Sequence, residues 1–178
     1  RPKEPPVTVI DPVADPEKAL LLDYLRGQRR HVLGIIDGLS EADLRRPVLP
    51  SGWSCLDMVR HLTVDEEQFW FGAVVAGDAE VIAGLDGGDD SWTVPPEVPV
   101  TEVLDRYRDA CARSDEIVAA TPLGAPPAWW PGDLFGDWRI DDLREVMLHL
   151  IAEIACHAGH LDAARELIDG RQWMVLTE

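Results

Sequence analysis

The chain contains no asparagine, and its basic residues are 14 arginines and only 2 lysines. Its three cysteines, Cys55, Cys111 and Cys156, are widely spaced and form no Cys-x-x-Cys pair. This spacing argues against a disulfide framework and against a zinc site built from thiolates. Positive charge is also scarce, because 16 Lys and Arg stand against 33 Asp and Glu, for a net charge of −17. Since a nucleic-acid partner requires a basic face, none is expected.

Apolar runs long enough to cross a membrane are missing too, so we expect no membrane partner. The proline-rich start does not resemble a secretory signal, and we therefore expect a cytoplasmic protein. A length of 178 residues with 46% hydrophobic side chains suits one domain with a full core. We predict an extended arm over residues 1–15 and one helical domain over residues 16–178.

Apolar side chains recur with a helical period in four segments that also carry helix start and stop signals. Asp15 and Pro16 suit the N-cap and first position of the first helix, Ser54 with Asp57 resembles a capping box, and Gly170 suits a helix end. Thr101 is predicted to cap the third helix, and Ser40 a short turn. The predicted helices cover residues 16–39, 54–77, 100–121 and 139–170.

Four amphipathic helices joined by long irregular connections predict an all-α fold, an antiparallel four-helix bundle. The acidic, Gly- and Pro-rich segment 77–99 is predicted to be a surface loop, held in place by Trp92. The segment 122–138 is predicted to be irregular, and its tryptophans Trp129, Trp130 and Trp138 to pack as a lid or to wall a pocket.

The fourth helix places ionisable side chains on its inward face. His149, Glu153, His157 and His160 are spaced by four, four and three residues, which puts them within roughly 80° of one face. Unpaired burial of such groups costs several kcal/mol each, in order-of-magnitude terms of about 2–7. Either a bound metal or a network of hydrogen bonds removes that cost, and spacing leaves both open.

Glu153 and His157 are neighbours on one helical face and can reach one cation. His149 lies about 12 Å from His157 along the axis, too far to share the metal easily. His61, the one histidine of the second helix, is the best third ligand. Two histidines and one carboxylate would leave coordination positions open, as in reactive metal sites.

The segment SGWSCLDMVRHLTVDEEQFW resembles the second helix of the DinB-like superfamily, which includes mycothiol-dependent maleylpyruvate isomerases and bacterial thiol transferases. The fourth helix, HLIAEIACHAGHLDAARELIDG, resembles its closing motif, and the likeness extends from about Leu20 to Gly170. The second-helix pattern of the superfamily falls on Trp53, Ser54, Asp57, Met58, Val59, His61 and Leu62.

The resemblance implies a DinB-like bundle in which His61, Glu153 and His157 bind a divalent metal, with zinc favoured and nickel or iron as alternatives. Many members carry His where Glu153 stands, and Gln where His160 stands. We predict that the remaining candidates contact the ligands or line the pocket. They are His160, His149, Arg60, Glu66 and Trp53.

Enzymes of this superfamily use the metal to activate a low-molecular-weight thiol such as mycothiol toward an electrophile. The resemblance thus implies a metal-dependent transferase or isomerase, and a noncatalytic metal- or ligand-binding stress protein is the alternative. Arg26, Arg29, Arg30 and His31 on the first helix are predicted to be mainly surface residues. A homodimer is expected, partly from the apolar Trp173, Met174 and Val175.

Overall fold

The computed structural model describes residues 15–85, 90–132 and 134–174, and all regular secondary structure within them is helical. The all-α prediction is therefore confirmed. The predicted arm lies almost wholly outside the described residues, and so does Val175. The helices are α1 (Pro16–Ile36), α2 (Glu41–Leu44), α3 (Cys55–His61) with its direct π-helical continuation, the π segment (Leu62–Val75), α4 (Ala79–Leu85), α5 (Val100–Ala120) and α6 (Leu143–Asp169).

Helix ends follow the capping chemistry predicted from the sequence. The Asp15 carboxylate accepts hydrogen bonds from the Glu17 and Lys18 amides at 3.0 and 3.2 Å. Ser54 and Asp57 form a reciprocal capping box at the start of α3. Gly170 ends α6 with φ 77°, the left-handed conformation that glycine adopts without steric cost.

Two local predictions are wrong. The segment 77–99 is not a loop throughout, because α4 forms inside it, started by Asp78, whose carboxylate accepts from the amides of Glu80 and Val81. Pro99 occupies the position before α5, with extended geometry at φ −60° and ψ 142°, and no side chain caps this helix through a hydrogen bond. Thr101 therefore lies in the first turn of the helix and not at its cap.

α1 and α6 run in the same direction. Arg144, near the start of α6, forms an ion pair with Glu17 near the start of α1 at 2.6 Å. Near the other end, the Arg165 guanidinium donates to the carbonyl of Ile35 at 2.6 Å. Parallel neighbours of this kind need a long connection between them, and the rest of the chain supplies it.

The α3 helix and the π segment run opposite to α6. His61 faces His157 across this interface. Further along the same two helices, Trp70 faces His149. α5 is also opposite to α1, because Lys18 at the start of α1 donates to the carbonyl of Thr121, the residue that ends α5. The four long helices thus form two parallel pairs that are antiparallel to one another.

A charged network lies inside the core between α1, the π segment and α5. Arg29 forms a two-point ion pair with Glu67 at 2.6 and 2.7 Å and a further one with Asp115 at 2.7 Å. Arg29 is only 5% exposed and Glu67 only 1%, so the prediction of a solvated Arg29 is wrong. Although burial works to lower it, the two carboxylates hold the pKa of Arg29 above its ordinary value. Arg26, by contrast, is exposed as predicted.

The chain after α6 folds back onto α1. Asp162 accepts from the amides of Trp173 and Met174 at 2.7 and 2.9 Å. The Trp173 indole donates to His31 at 3.0 Å and covers Gly34 so closely that a Cβ there would lie 2.3 Å from the ring. Among the described residues, no helix is both long and apolar enough to cross a membrane.

Candidate metal centre

Two histidines from opposite helices meet at the centre of the candidate site. His61 is the last residue of α3, immediately before the π segment, and His157 lies in the second half of α6. Their Nε2 atoms are 3.3 Å apart, and their rings meet edge to face with centroids 4.9 Å apart. The positions of these two side chains are therefore consistent with the sequence prediction that they share one site.

Two carboxylates border this histidine pair. The Oε1 atom of Glu66 lies 3.8 Å from Nε2 of His61 and 4.0 Å from Nε2 of His157. The Oε2 atom of Glu153, one turn before His157 on α6, lies 4.0 Å from the same His157 nitrogen. The Glu66 side chain is 9% exposed and that of Glu153 41%, so the more buried carboxylate is the one placed between both histidines.

The spacing of these donor atoms suits a single divalent cation. Single oxygen or nitrogen atoms of His61, Glu66 and His157 all lie within 4.8 Å of one another. Ligand atoms at about 2.0–2.2 Å from one metal ion lie roughly 3–4 Å from each other. A cation between the three groups would require only small side-chain movements.

Unpaired polar atoms in the site point to the same conclusion. Glu66 Oε2 and His157 Nδ1 are buried and have no hydrogen-bond partner among the described residues. Buried polar atoms normally have partners, and an unpaired one calls for a missing ligand, ion or water. The unpaired carboxylate oxygen of Glu66 is the stronger indication, because a carboxylate that coordinates a cation loses the cost of its burial.

The pKa values of Glu66 and His157 both differ strongly from their ordinary values. Burial, together with the charges of Glu153, Asp65 and Glu67, raises the pKa of Glu66 to about 8. Burial, together with His61 and His160, lowers the pKa of His157 to about 4. At neutral pH, His157 is therefore a neutral imidazole with a lone pair to offer, and Glu66 readily exchanges its proton for another cation.

Asp65 fixes the orientation of His61. The Nδ1 atom of His61 lies 2.8 Å from Asp65 Oδ2, which also accepts a hydrogen bond from the Ser91 hydroxyl. Although burial works to raise it, these two hydrogen bonds hold the pKa of Asp65 below its usual range. An ionised carboxylate only accepts, so the His61 proton must sit on Nδ1 and the Nε2 lone pair faces the site.

Trp92 covers the outer face of His61. The two rings are stacked with centroids 3.9 Å apart and an angle of 19° between their planes. The loop that carries Ser91 and Trp92 is tied to the start of α3, because the Val94 amide donates to the Asp57 carboxylate at 2.8 Å. The predicted role of Trp92, to hold this loop in place, agrees with the stacking.

Sequence reasoning missed Asp65 and Ser91. Asp65 could have been found, since it lies four residues after His61 on one continuous helix. Ser91 carries no comparable signal, because only the folded loop brings it to the site.

The remaining candidates have other surroundings. The His160 ring is exposed, with its centroid 6.4 Å from that of His157. His149 packs edge-on against Trp70 at 4.7 Å rather than against His157. Arg60 donates to the carbonyl of Asp90 at 3.3 Å, and Trp53 is half-buried against the core.

Aromatic side chains form a cluster beside the site. Trp70 and Phe135 are stacked at 5.6 Å, and both lie within 6.1 Å of Trp130 and Trp138, measured between ring centroids. Trp129 packs against Phe69 at 6.3 Å. Of the tryptophans predicted from segment 122–138 to wall a pocket, none lines the cavity next to Glu66, whose aromatic wall is Phe69, Trp70 and Phe135.

The family model described as Mycothiol-S-transferase matches residues 20–170, which include His61, Glu66, Glu153 and His157. No curated protein matches the chain.

Proposed function

The chain belongs to the mycothiol-S-transferase family, a DinB-like family, and from this premise we propose that it is a metal-dependent transferase that joins a low-molecular-weight thiol to an electrophile. The observation that carries the proposal is the group of His61, His157 and Glu66, whose donor atoms lie within 4.8 Å of one another beside a cavity. The proposed thiol is mycothiol or a thiol of similar chemistry.

We propose His61, Glu153 and His157 as metal ligands, with Glu66 as a further carboxylate within reach of the same cation. Imidazole and carboxylate donors suit zinc best, and nickel and iron fit the same donor set. When bound, such a cation lowers the pKa of a thiol, so that a thiolate is available at neutral pH.

Two side chains support the proposed ligand His61. Asp65 keeps the proton of His61 on Nδ1, and Trp92 screens that imidazole from solvent. The sulfur of the thiol then forms a bond to the electrophilic carbon, the bond from that carbon to its leaving group breaks, and the leaving group takes the electron pair. The thiol proton passes to solvent, which balances the reaction.

Three broader features are proposed along with the activity. The antiparallel relation between the two helix pairs supports a four-helix bundle of the DinB-like type. We further propose a cytoplasmic homodimer, in which the exposed apolar side chains of Leu20 and Tyr24 add to those of Trp173 and Met174. Sedimentation at micromolar concentration that gives only the monomer mass would exclude the dimer.

The activity is tested by following loss of free thiol when purified protein is mixed with mycothiol and an alkyl halide. We expect consumption that stops when the metal is removed with a chelator and returns when zinc is added back. The His157→Ala variant should be inactive, and His31→Ala, which removes a histidine of α1 that contacts Trp173, should retain metal-dependent turnover. Stoichiometric metal binding without thiol consumption would reject the transferase and favour a noncatalytic metal-binding protein.

A further inference from the structure

A cavity of about 350 Å³ opens beside the candidate metal centre. Its carboxylates come from Asp65, Glu66 and Glu153. Its aromatic wall consists of Phe69, Trp70 and Phe135. A cavity of about 150 Å³ is known to hold one benzene molecule. The volume next to Glu66 is thus sufficient for one substituted ring.

The aromatic wall is already packed in the described structure. Trp70 and Phe135 stack on one another with an angle of 14° between their planes, and Trp138 meets both rings edge-on. His149 lies edge-on to Trp70 and is itself part of the lining. A preformed wall of this kind binds flat apolar ligands without a large cost of ordering side chains.

The charges around the cavity have one sign. Among the described residues that line it, the charged side chains are Asp65, Glu66 and Glu153, and none is an arginine or lysine. Arg139, the basic residue of the neighbouring aromatic segment, instead lies over the ring of Trp130 at 5.4 Å. A carboxylate on a ligand would therefore lie close to the acidic side chains of Asp65 and Glu153, with no arginine or lysine opposite it in the lining.

We propose that this cavity binds the electrophile and selects uncharged, ring-bearing electrophiles over those that carry a carboxylate. That the ligand is a reactant rests on the proposed thiol transfer. The preference for an uncharged ring rests only on the aromatic wall and the acidic lining, so it can be measured in protein from which metal has been removed.

The test uses two unreactive probes of the same shape, methyl 4-methylbenzoate and the 4-methylbenzoate anion. The full chain is first freed of metal. Binding of each probe is then measured at pH 7.5 from the NMR relaxation of the ligand protons. We expect the ester to bind at least about ten times more tightly than the anion, the size of effect that one close like-charge contact gives. Equal affinity of the two probes would overturn the proposal.

Variants assign the selectivity to the cavity. Glu153→Lys should raise affinity for the anion and reverse or abolish the preference, whereas Asp23→Lys, the same charge change on exposed α1, should leave the ratio unchanged. Phe135→Ser should weaken binding of the ester, and Phe135→Leu should retain most of it. If Asp23→Lys alters the ratio as much as Glu153→Lys does, net charge and not the cavity sets it, and the proposal fails.

Turnover separates this inference from the proposed function. Zinc-loaded protein with mycothiol should turn over methyl 4-(chloromethyl)benzoate with a measurable kcat/KM. Selective binding without turnover would reject thiol transfer and leave the cavity preference intact. Turnover with no binding preference would support thiol transfer and overturn the cavity preference.

Discussion

The Nε2 atoms of His61 and His157 lie 3.3 Å apart, close enough for one of the rings to donate a hydrogen bond to the other. Because Asp65 holds the His61 proton on Nδ1, only His157 can be the donor. In the metal-free protein, His157 thus carries its proton on Nε2. To coordinate a cation through Nε2, His157 must move that proton to Nδ1.

The first prediction concerns metal content. His157→Ala should reduce bound zinc from about one equivalent to a small fraction, because it removes one of two imidazoles that face the same point. His149→Ala should keep nearly the full equivalent, since His149 packs against Trp70 instead. Elemental analysis of the two purified variants measures this. Retained zinc in the first variant together with lost zinc in the second would show that the ligands are misassigned.

The second prediction separates the two carboxylates by the pH dependence of metal affinity. The pKa of Glu66 is raised to about 8, so below that pH a cation must displace its proton. Affinity for zinc should therefore rise by up to about tenfold per pH unit between pH 6 and 8. Glu66→Gln should flatten this rise, and Glu153→Gln should lower affinity and move the rise to lower pH, because the charge of Glu153 helps to raise the pKa of Glu66. Competition titrations with a chelator at several pH values measure both effects.

The third prediction concerns the stability of the metal-free protein. Glu66 has a folded pKa of about 8, above the ordinary 4.5, so its contribution is complete below pH 4.5 and is lost as the pH rises through 8. His157 has a folded pKa of about 4, below the ordinary 6.5, so its contribution is present above pH 6.5 and lost as the pH falls through 4. Of these two groups, only Glu66 changes the free energy of unfolding between pH 6.5 and 8.

Urea unfolding of chelator-treated protein should therefore show stability falling between pH 6.5 and 8, by up to about 2 kcal/mol. Glu66→Gln should remove the decline. If that variant declines as steeply as the unmodified chain, another group is responsible.

The fourth prediction tests the support of His61 by Asp65. Asp65→Asn should weaken zinc binding by roughly 10–100-fold, because an amide no longer dictates which His61 nitrogen carries the proton. Asp23→Asn on exposed α1 is the matched control and should leave affinity unchanged. Equal zinc affinity in both variants would show that Asp65 does not support metal binding.

The fifth prediction concerns the buried ion pair of Arg29 and Glu67. Glu67→Gln should cost about 3–5 kcal/mol in free energy of unfolding, because it leaves the Arg29 charge buried with only Asp115 beside it. The double change Arg29→Met with Glu67→Leu should cost less than the single change. Arg26→Met, which removes a half-exposed partner of Asp115, should cost less than about 1 kcal/mol. Denaturant unfolding ranks the three.

Helix capping at Asp15, Ser54 and Gly170 could be predicted because each cap is a contact between residues a few positions apart. The burial of Arg29 could not, since it depends on Glu67 and Asp115, 38 and 86 residues away. The start of α4 at Asp78 is hard to predict because glycine and acidic residues dominate the segment.

The same distinction holds at the candidate site. The i,i+4 spacing of Glu153 and His157 and the family pattern around His61 identify candidate ligands from the sequence. The position of Glu66 between two histidines depends on how the π segment packs on α6, and that of Ser91 on a loop fixed by Asp57. Neither arrangement can be predicted from the spacing of residues along the chain.

Three consecutive acidic residues in the π segment face three different surroundings. Asp65 contacts His61, Glu66 lies between the histidines, and Glu67 pairs with Arg29 on the α1 side. A change in the number of residues before them would turn all three side chains to other directions at once. Insertions and deletions between His61 and Glu67 should therefore be far less tolerated in evolution than substitutions at the same positions. Length variation among related chains should instead be concentrated in the segment around α4.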